Sequence, residues 1–338
     1  MHLENNIQLF TAKDLETDQE VRWCPGCGDY AILNSVQKIL PELGRSKNEF
    51  VFISGIGCSS RFPYYMDTYG LHSIHGRAAS VATGLKLTRP KLSVWVITGD
   101  GDSLSIGGNH FIHTLRRNPD MNILLFNNQI YGLTKGQFSP TSEIGKITKS
   151  SPIGSVDSPF NPLALSLGAN ATFIARTMDR DAKHQQEMYR RAYYHKGTSL
   201  VEIYQNCNVF NDGAFEVFTD KSQKPLTALF LENNQPLLFD EGRKGIILDG
   251  LKPKLVATED VSINDLFVHD ERDKTKAFIL TQFFDEEEFP RPFGVIYVSK
   301  EKATFDDLMN LQIESTEIAD KAKAFKELLY SKNYWEKK

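Results

Sequence analysis

A carboxylate and an amide each follow a run of apolar residues that has the length of a buried strand. Asp100 comes after the run 92–98, and Asn128 comes after the run 121–126. The stretch between them, 106–117, carries apolar residues at helical spacing. The ends of parallel strands joined by a crossover helix meet at one edge of a sheet, so we expect the two side chains to converge. Their oxygens are hard ligands, suited to Mg²⁺ that also holds phosphate oxygens.

Each motif alone has an ordinary explanation. Gly99-Asp100-Gly101 is most often a tight turn, and Asn127-Asn128 is also typical of turns. Together, one strand–helix–strand unit apart, they are the pattern of thiamine-diphosphate enzymes, and the sequence resembles the diphosphate-binding domain of that family. The resemblance implies that Asp100, Asn128 and the main-chain carbonyl of Ile130 bind Mg²⁺.

The chain has four cysteines, and two of them also follow strand-like runs. Cys24 and Cys27 form a CxxC pair in a Pro-Gly turn, whereas Cys58 follows the run 50–54 and Cys207 follows a run that ends at Tyr204. We therefore expect sulfurs close to the diphosphate site.

From the residues alone, four thiolates could hold zinc or an iron–sulfur cluster. Buried thiols without a ligand and a redox-active pair are the other possibilities. Disulfides are disfavoured, because the start of the chain does not read as a signal peptide and we expect a cytoplasmic protein with reduced thiols.

Thiamine diphosphate beside four such cysteines is typical of one family, the β subunits of 2-oxoacid:ferredoxin oxidoreductases, which this chain resembles. The resemblance covers roughly residues 20 to 210 in family order, and the tail 261–298 is similar to the family's C-terminal extension. The matching stretches are WCPGCGDYAIL (23–33), GIGCSS (55–60), HSIHGRAASVATGLKL (72–87), TGDGDSLSIGGNHFIHTLRRN (98–118), NNQIYGLTKGQFSPTS (127–142) and the region of Cys207. It implies that a 4Fe-4S cluster is bound by Cys24, Cys27, Cys58 and Cys207.

The resemblance also implies an activity: oxidative decarboxylation of a 2-oxoacid, with coenzyme A accepting the acyl group and ferredoxin the electrons. The stretch 131–137 resembles members that use 2-oxoglutarate, and Lys135 offers a counter-charge for a second carboxylate. Pyruvate or a branched-chain 2-oxoacid is the alternative substrate. The glutamate that activates the cofactor is expected from an α subunit with the pyrimidine-binding domain, so this chain alone should be inactive.

Further contacts are expected from loops at the carboxyl edge of the sheet, where ligands of such sheets bind. Arg61, His75 and Lys135 are the candidates for contact with the substrate. Gly101 and Asp102 are expected to donate backbone N–H groups to the diphosphate, since a helix start favours anions. The expected cofactor contacts are Ile56, Gly57, Cys58, Ser59, His75, Gly76, Arg77, Gly101, Asp102, Asn128, Gly132 and Leu133.

The alternation of apolar runs and amphipathic stretches predicts a doubly wound, mostly parallel α/β sheet of the thiamine-diphosphate-binding type, with a smaller C-terminal extension. We expect an N-terminal arm over 1–20, a domain for both cofactors over 21–212 and the extension over 213–338. Strands are predicted over 50–54, 92–98, 121–126, 171–176 and 199–204, helices over 30–40, 78–87, 106–117, 161–168, 182–195 and 304–330, and short β-like runs at 236–239, 245–248 and 294–298.

Composition excludes some functions and leaves others. A net charge of −4 gives no reason to expect nucleic acid, and no apolar run approaches the length that spans a membrane. A non-oxidative thiamine-dependent decarboxylase would share Asp100 and Asn128 but has no use for four placed cysteines. An iron–sulfur or zinc-binding interaction protein would use the cysteines but leaves the two diphosphate motifs unexplained.

Overall fold

The computed structural model describes residues 10–284, 286, 288–300, 302–315, 320–331 and 335. Of the predicted arm 1–20, residues 1–9 lie outside this description. The remainder contains the short 3-10 turn Ala12–Leu15, and Leu15 is fully buried. The backbone N–H of Asp67 donates to the carbonyl of Leu15, which ties the segment to the body of the protein.

An eight-stranded sheet forms the centre of the described chain, with strand order β2-β1-β3-β4-β6-β5-β11-β7. Its strands pair in parallel except for β11, which runs antiparallel to β5. They are β1 (Phe50–Ser54), β2 (Tyr69–His72), β3 (Ser93–Gly99), β4 (Met121–Asn127), β5 (Phe173–Met178), β6 (Thr198–Tyr204), β7 (Ala228–Phe230) and β11 (Arg291–Val298).

A small antiparallel sheet lies beside it in the C-terminal part. It consists of β8 (Leu238–Phe239), β9 (Lys244–Asp249) and β10 (Lys252–Ala257). The segment 213–338, predicted as the extension, is not confined to this small sheet. Its strands β7 and β11 complete one edge of the central sheet.

Helices cover both faces of the central sheet, which explains why its middle strands are apolar on both sides. One core contains residues of α1 and α6, and the other contains residues of α2, α4 and α5. The helices are α1 (Asp29–Ile39), α2 (Ala78–Thr88), α3 (Asp100–Leu104), α4 (Gly108–Arg117), α5 (Pro162–Gly168), α6 (Ala182–Tyr194), α7 (Lys224–Thr227), α8 (Lys274–Gln282), α9 (Phe305–Ser315) and α10 (Lys321–Leu329). The doubly wound α/β prediction is thus confirmed.

Two predicted helices differ in detail from the structure. The helix predicted over 106–117 is preceded by α3, which begins directly at Asp100, and α4 begins at Gly108. The single helix predicted over 304–330 is described as α9 and α10, with 316–319 outside the described residues. None of the helices in the described ranges is long and apolar enough to cross a membrane.

Candidate functional site

One cavity lies where β1, β3 and β4 end, at the carboxyl edge of the sheet. All the expected cofactor contacts line it except Gly76 and Arg77. Its lining consists of Ile56, Gly57, Cys58, Ser59, His75, Gly99, Asp100, Gly101, Asp102, Phe126, Asn128, Ile130, Tyr131, Gly132, Leu133 and Thr134. Three connections that are distant in sequence therefore meet at a single site.

Asp100 places a buried carboxylate in this cavity. It is the first residue of α3 and follows β3 directly. The hydroxyls of Ser139 and Thr141 donate to its Oδ2 at 2.5 and 2.6 Å. Burial raises the pKa of Asp100, and these hydrogen bonds only oppose that shift. A buried carboxylate of this kind is suited to a cation.

Asn128 and Ile130 lie on the neighbouring connection, after β4. The backbone N–H of Ile130 donates to Oδ1 of Asn128 at 3.2 Å, and Nδ2 of Asn128 donates to Gln205 at 2.8 Å. The side chain of Asn127, by contrast, is turned into the sheet, where its Nδ2 donates to buried Glu202. Only the second asparagine of the pair lines the cavity, and its oxygen, the Ile130 carbonyl and the Asp100 carboxylate form a donor set that fits Mg²⁺.

The side chain of Asp102 joins three of the surrounding segments, a role that the sequence did not indicate. Its Oδ1 accepts hydrogen bonds from the backbone N–H groups of Ile56 at 3.1 Å and Gly76 at 2.7 Å. Its Oδ2 accepts one from the hydroxyl of Thr98 at 2.8 Å. A Cβ on Gly55 would lie 1.9 Å from this Oδ2, so the close approach requires glycine there. Gly76 is thereby held beside the cavity without lining it.

The three substrate candidates are placed differently. His75 lines the cavity, with Nδ1 3.5 Å from Oδ1 of Asp102. Arg61 lines a second cavity, which shares Ile56, Gly57 and Leu133 with the first. Lys135 is exposed, has a left-handed φ of 75° and lines neither cavity. Arg77 precedes α2 and points its guanidinium toward the carbonyls of Gly76 and Ile106.

Two cysteine sulfurs lie at the cavity wall, and one of them belongs to the lining residue Cys58. A Cβ built on Gly132 would be 3.6 Å from Sγ of Cys58 and 3.6 Å from Sγ of Cys207. Gly132 is therefore close to both sulfurs and lines the cavity at the same time. No disulfide links the cysteines of the described chain, all of which are free thiols.

The other two cysteines belong to the same neighbourhood. Burial raises the pKa of Cys58 to about 12, with further contributions from the charges of Asp29, Cys207 and Cys24. Burial and the same neighbouring charges, from Asp29, Cys207 and Cys58, also raise the pKa of Cys27. The four sulfurs are thus close enough to influence one another's charge, and most of them are shielded from water.

Hydrogen bonds fix the three cysteine-bearing segments to one another. The indole N–H of Trp23 donates to the carbonyl of Cys58 at 2.6 Å. The backbone N–H of Gly28 donates to the carbonyl of Asn206 at 3.1 Å, and the side-chain amide of Asn208 donates to Pro25 at 2.6 Å. The CxxC turn is therefore tied to both of the other cysteine segments.

In the ranges that the structure describes, no group of three or more His, Cys, Asp or Glu side chains is placed to hold a metal ion. Zinc takes all its sulfurs at about 2.3 Å from one centre, whereas an iron–sulfur cluster takes each thiolate at a different iron.

Two buried residues near the cysteines were missed by the sequence analysis. Asp29 is 1% exposed and lies beside Cys27. Burial and the charge of Asp179 raise the pKa of Asp29 to about 7, against the lowering effect of a hydrogen bond with Cys27. Gln205, directly after β6, contacts both Asn128 and Cys27. Each lies two residues from a motif cysteine in the sequence, Asp29 from Cys27 and Gln205 from Cys207, and this proximity was the sequence signal available.

The fold and the cavity define a thiamine-diphosphate-binding domain. Residues 55–203 match the family model described as "Thiamine pyrophosphate enzyme, C-terminal TPP binding domain". The 2-oxoglutarate oxidoreductase subunit KorB of Mycobacterium tuberculosis is 49% identical over 96% of this chain and 87% of its own length. The 2-oxoacid:ferredoxin oxidoreductase subunit beta of Saccharolobus solfataricus is 43% identical over 59% of this chain and 66% of its own length.

A solved structure agrees with these relatives. It is described as 2-oxoglutarate:ferredoxin oxidoreductase from Magnetococcus marinus with 2-oxoglutarate, coenzyme A and succinyl-CoA bound. Its similarity to this chain has a TM-score of 0.76 and 33% identity, over 96% of this chain and 98% of the other. The chain belongs to the family of 2-oxoacid:ferredoxin oxidoreductase β subunits and is of the 2-oxoglutarate oxidoreductase type. It is therefore one subunit of an oxidoreductase.

Proposed function

We propose that this chain is the β subunit that holds thiamine diphosphate, Mg²⁺ and a 4Fe-4S cluster in an enzyme that oxidises 2-oxoglutarate to succinyl-CoA and CO₂. Ferredoxin accepts the electrons. The observation that carries the proposal is the position of Gly132, which lines the cavity and whose built Cβ lies 3.6 Å from the sulfurs of both Cys58 and Cys207. Cys58 lines the same cavity, so the cysteines adjoin the expected site of decarboxylation.

The protein's own groups divide the work of holding the cofactors. Asp100, Asn128 and the carbonyl of Ile130 bind Mg²⁺, which neutralises the diphosphate. Gly101 and Asp102, in the first turn of α3, present backbone N–H groups to the phosphate oxygens. When bound, thiamine diphosphate supplies the electron sink for loss of CO₂ and the cluster accepts electrons one at a time.

The cysteines hold the cluster in a shielded position. Cys27, Cys58 and Cys207 are partly buried, while Cys24 is exposed and marks the side nearest to solvent. Ferredoxin would receive electrons on that side, because electron transfer needs a short path from the cluster to the surface. The rest of the cluster is kept from water by the packed segments around it.

An α subunit completes the site from the open side of the cavity. The described residues form one thiamine-type domain, and the activating glutamate is expected from a second, pyrimidine-binding one. Exposed apolar side chains adjoin the mouth of the cavity, among them Ile74 beside His75, Ile106 beside Gly76, and Leu133 in the lining. Such a patch at an open mouth favours a protein partner there.

The substrate carboxylates meet cations in the second cavity or on its rim. Arg61 lines the cavity next to the cofactor cavity, and Lys135 lies close by in sequence to the lining residue Leu133. A dicarboxylate has a distal charge that these cations can pair with, whereas pyruvate and branched-chain 2-oxoacids do not. This charge pattern supports 2-oxoglutarate.

The test uses the complex of this chain with its α subunit, purified without oxygen. We expect four irons and one thiamine diphosphate for each copy of this chain, and ferredoxin reduction that requires both 2-oxoglutarate and coenzyme A. Cys207→Ser should lose iron and ferredoxin reduction while it still binds thiamine diphosphate. A complex that releases CO₂ from 2-oxoacids but contains no iron would instead be a non-oxidative decarboxylase and would refute the proposal.

A further inference from the structure

Gln205 connects the two cofactor sites of this chain. It follows β6 directly, is 1% exposed, and its backbone N–H donates to the carbonyl of Asn127 at 2.9 Å. Its side chain reaches Asn128 on one side and the Cys27 sulfur on the other. We propose that Gln205 is a positioning residue that orients Asn128 toward Mg²⁺ and donates an N–H···S hydrogen bond to the cluster. This inference rests on the proposed function.

The orientation of the Gln205 amide follows from its partners. Oδ1 of Asn128 accepts from the backbone N–H of Ile130, so the Asn128 group that faces Gln205 is its NH₂. Gln205 must therefore present its oxygen there, at 2.8 Å. Its NH₂ then faces the carbonyl of Asn206 at 2.5 Å, which can only accept. Both ends of the amide are fixed independently and agree.

The same NH₂ group lies 3.4 Å from Sγ of Cys27. One of its two hydrogens is used by Asn206, and the other is available to the sulfur. A thiolate that binds an iron carries negative charge and is a better acceptor than a thiol. Hydrogen bonds to cluster sulfurs are one of the factors that set the reduction potential, and each such bond favours the reduced cluster.

On the magnesium side, Gln205 acts through Asn128. Residues that hold a metal ligand in place contribute to metal affinity without touching the metal. With its NH₂ bonded to Gln205 and its oxygen bonded to the backbone N–H of Ile130, the Asn128 amide has a fixed orientation. Loss of the 2.8 Å bond to Gln205 leaves this orientation to the longer 3.2 Å bond from Ile130, so the amide turns over more easily and presents nitrogen to the cation.

The surrounding backbone is shaped to allow this bridge. A Cβ on Gly28 would lie 3.0 Å from Cγ of Gln205 and 1.9 Å from Oδ2 of Asp179. The Gly28 N–H also donates to the carbonyl of Asn206, which keeps the CxxC segment against the segment after β6. Glycine after the second cysteine of the CxxC pair thus lets Gln205 approach Cys27.

Two variants in the assembled complex separate the two roles. Gln205→Glu keeps an oxygen for Asn128 but loses the N–H donor at Cys27, and Gln205→Leu loses both. We expect a more negative midpoint potential of the cluster in both variants, measured by redox titration followed by electron paramagnetic resonance. Only Gln205→Leu should weaken Mg²⁺-dependent thiamine diphosphate binding, by about tenfold or more. Gln37→Leu, at a buried glutamine on α1 with one long hydrogen bond to Tyr65, is the matched control and should change neither quantity.

An unchanged potential in either variant would overturn the hydrogen bond to the cluster. Unchanged thiamine diphosphate affinity in Gln205→Leu would overturn the role at Asn128. If Gln205→Leu fails to assemble, the isosteric Gln205→Glu still tests both roles. Its cluster potential tests the hydrogen bond to Cys27. Its thiamine diphosphate affinity tests the contact with Asn128, because the proposal predicts that this affinity is retained and a loss of it would contradict the proposal. A wild-type complex without iron or thiamine would refute the proposed function itself, which is a separate outcome.

Discussion

The carboxylate of Asp102 accepts a 2.7 Å hydrogen bond from the backbone N–H of Gly76, although the two residues lie on different connections of the sheet. The same oxygen accepts from Ile56, and the other from Thr98. This side chain is buried and holds together the loops that form the cofactor cavity.

We predict that Asp102→Leu lowers the free energy of unfolding by about 2–4 kcal/mol, because it strands buried donors. Thiamine diphosphate affinity should fall as well. Asp102→Asn keeps one acceptor oxygen, so its losses should be smaller. Denaturant unfolding and calorimetric titration of the cofactor measure the two effects. Wild-type stability and affinity in Asp102→Leu would show that the loops are held by other contacts.

Asp100→Ala should abolish thiamine diphosphate binding without unfolding the chain. Asp100 is the only carboxylate in the proposed Mg²⁺ shell, and its loss leaves the diphosphate charge poorly neutralised. Its raised pKa means that the ionised group destabilises the chain when no cation is bound. The isosteric Asp100→Asn should therefore be at least as stable as wild type without cofactor, yet bind it at least about a hundredfold more weakly. Normal cofactor binding in either variant would contradict the metal assignment.

Substrate choice can be tested at Lys135 and Arg61. If Lys135 pairs with the distal carboxylate of 2-oxoglutarate, Lys135→Ala lowers kcat/KM for that acid by about tenfold or more and for pyruvate much less. Arg61→Ala is the matched comparison, since Arg61 lines the second cavity and Lys135 does not. Equal losses for both acids would assign the residue to the carboxylate that all 2-oxoacids share. No loss in Lys135→Ala would agree with its exposed position and refute the role.

Two half-buried histidines make the chain sensitive to acid. Burial lowers the pKa of His184 and of His195 to about 4, against an ordinary value of 6.5. Between pH 4 and 6.5 the unfolded chain therefore binds more protons at these two histidines than the folded chain does. The stability that the neutral histidines contribute is complete above pH 6.5 and is lost as the pH falls toward 4. The melting temperature of the cofactor-free chain should fall over this range.

The change His184→Gln should make that decline less steep, because it keeps a partner for the hydroxyl of Thr177 but cannot take up the proton. His113→Gln, at an exposed position of α4, serves as the control and should leave the slope unchanged. Thermal melts at several pH values compare the two. An identical slope in His184→Gln and wild type would contradict the assigned cause.

The central strands and the main site residues were predictable because short-range patterns determine them. The apolar runs that became β1, β3, β4 and β6 differ from the observed strands by a residue or two at most. Asp100 and Asn128 follow such strands, and the geometry of a parallel sheet brings strand ends together. The convergence of these residues therefore needed no knowledge of side-chain packing.

Other features depend on contacts between distant residues and left no local pattern. β2 is a short strand at the edge of the sheet, and its residues Tyr69 and Leu71 are exposed. It therefore has no continuous apolar run of the kind that marks a buried strand in the sequence. β11 joins the central sheet from far along the chain. The roles of Asp102 and Gln205 arise from hydrogen bonds across several connections, which neither composition nor spacing reveals. Lys135, expected at the substrate from its position in a motif, is exposed and has a left-handed φ, and its contact with the substrate stays a prediction.

The most direct test of the account is the first electron transfer in the anaerobic complex without ferredoxin, because one cluster takes up one of the two electrons that the oxidation releases. Addition of 2-oxoglutarate and coenzyme A should produce the electron paramagnetic resonance signal of a reduced 4Fe-4S cluster, and Asp100→Ala should abolish it while iron content stays at the wild-type level. This result would place decarboxylation and electron acceptance on the adjoining sites of this chain. A wild-type complex that contains iron and thiamine diphosphate and consumes 2-oxoglutarate, yet leaves the cluster oxidised, would contradict it.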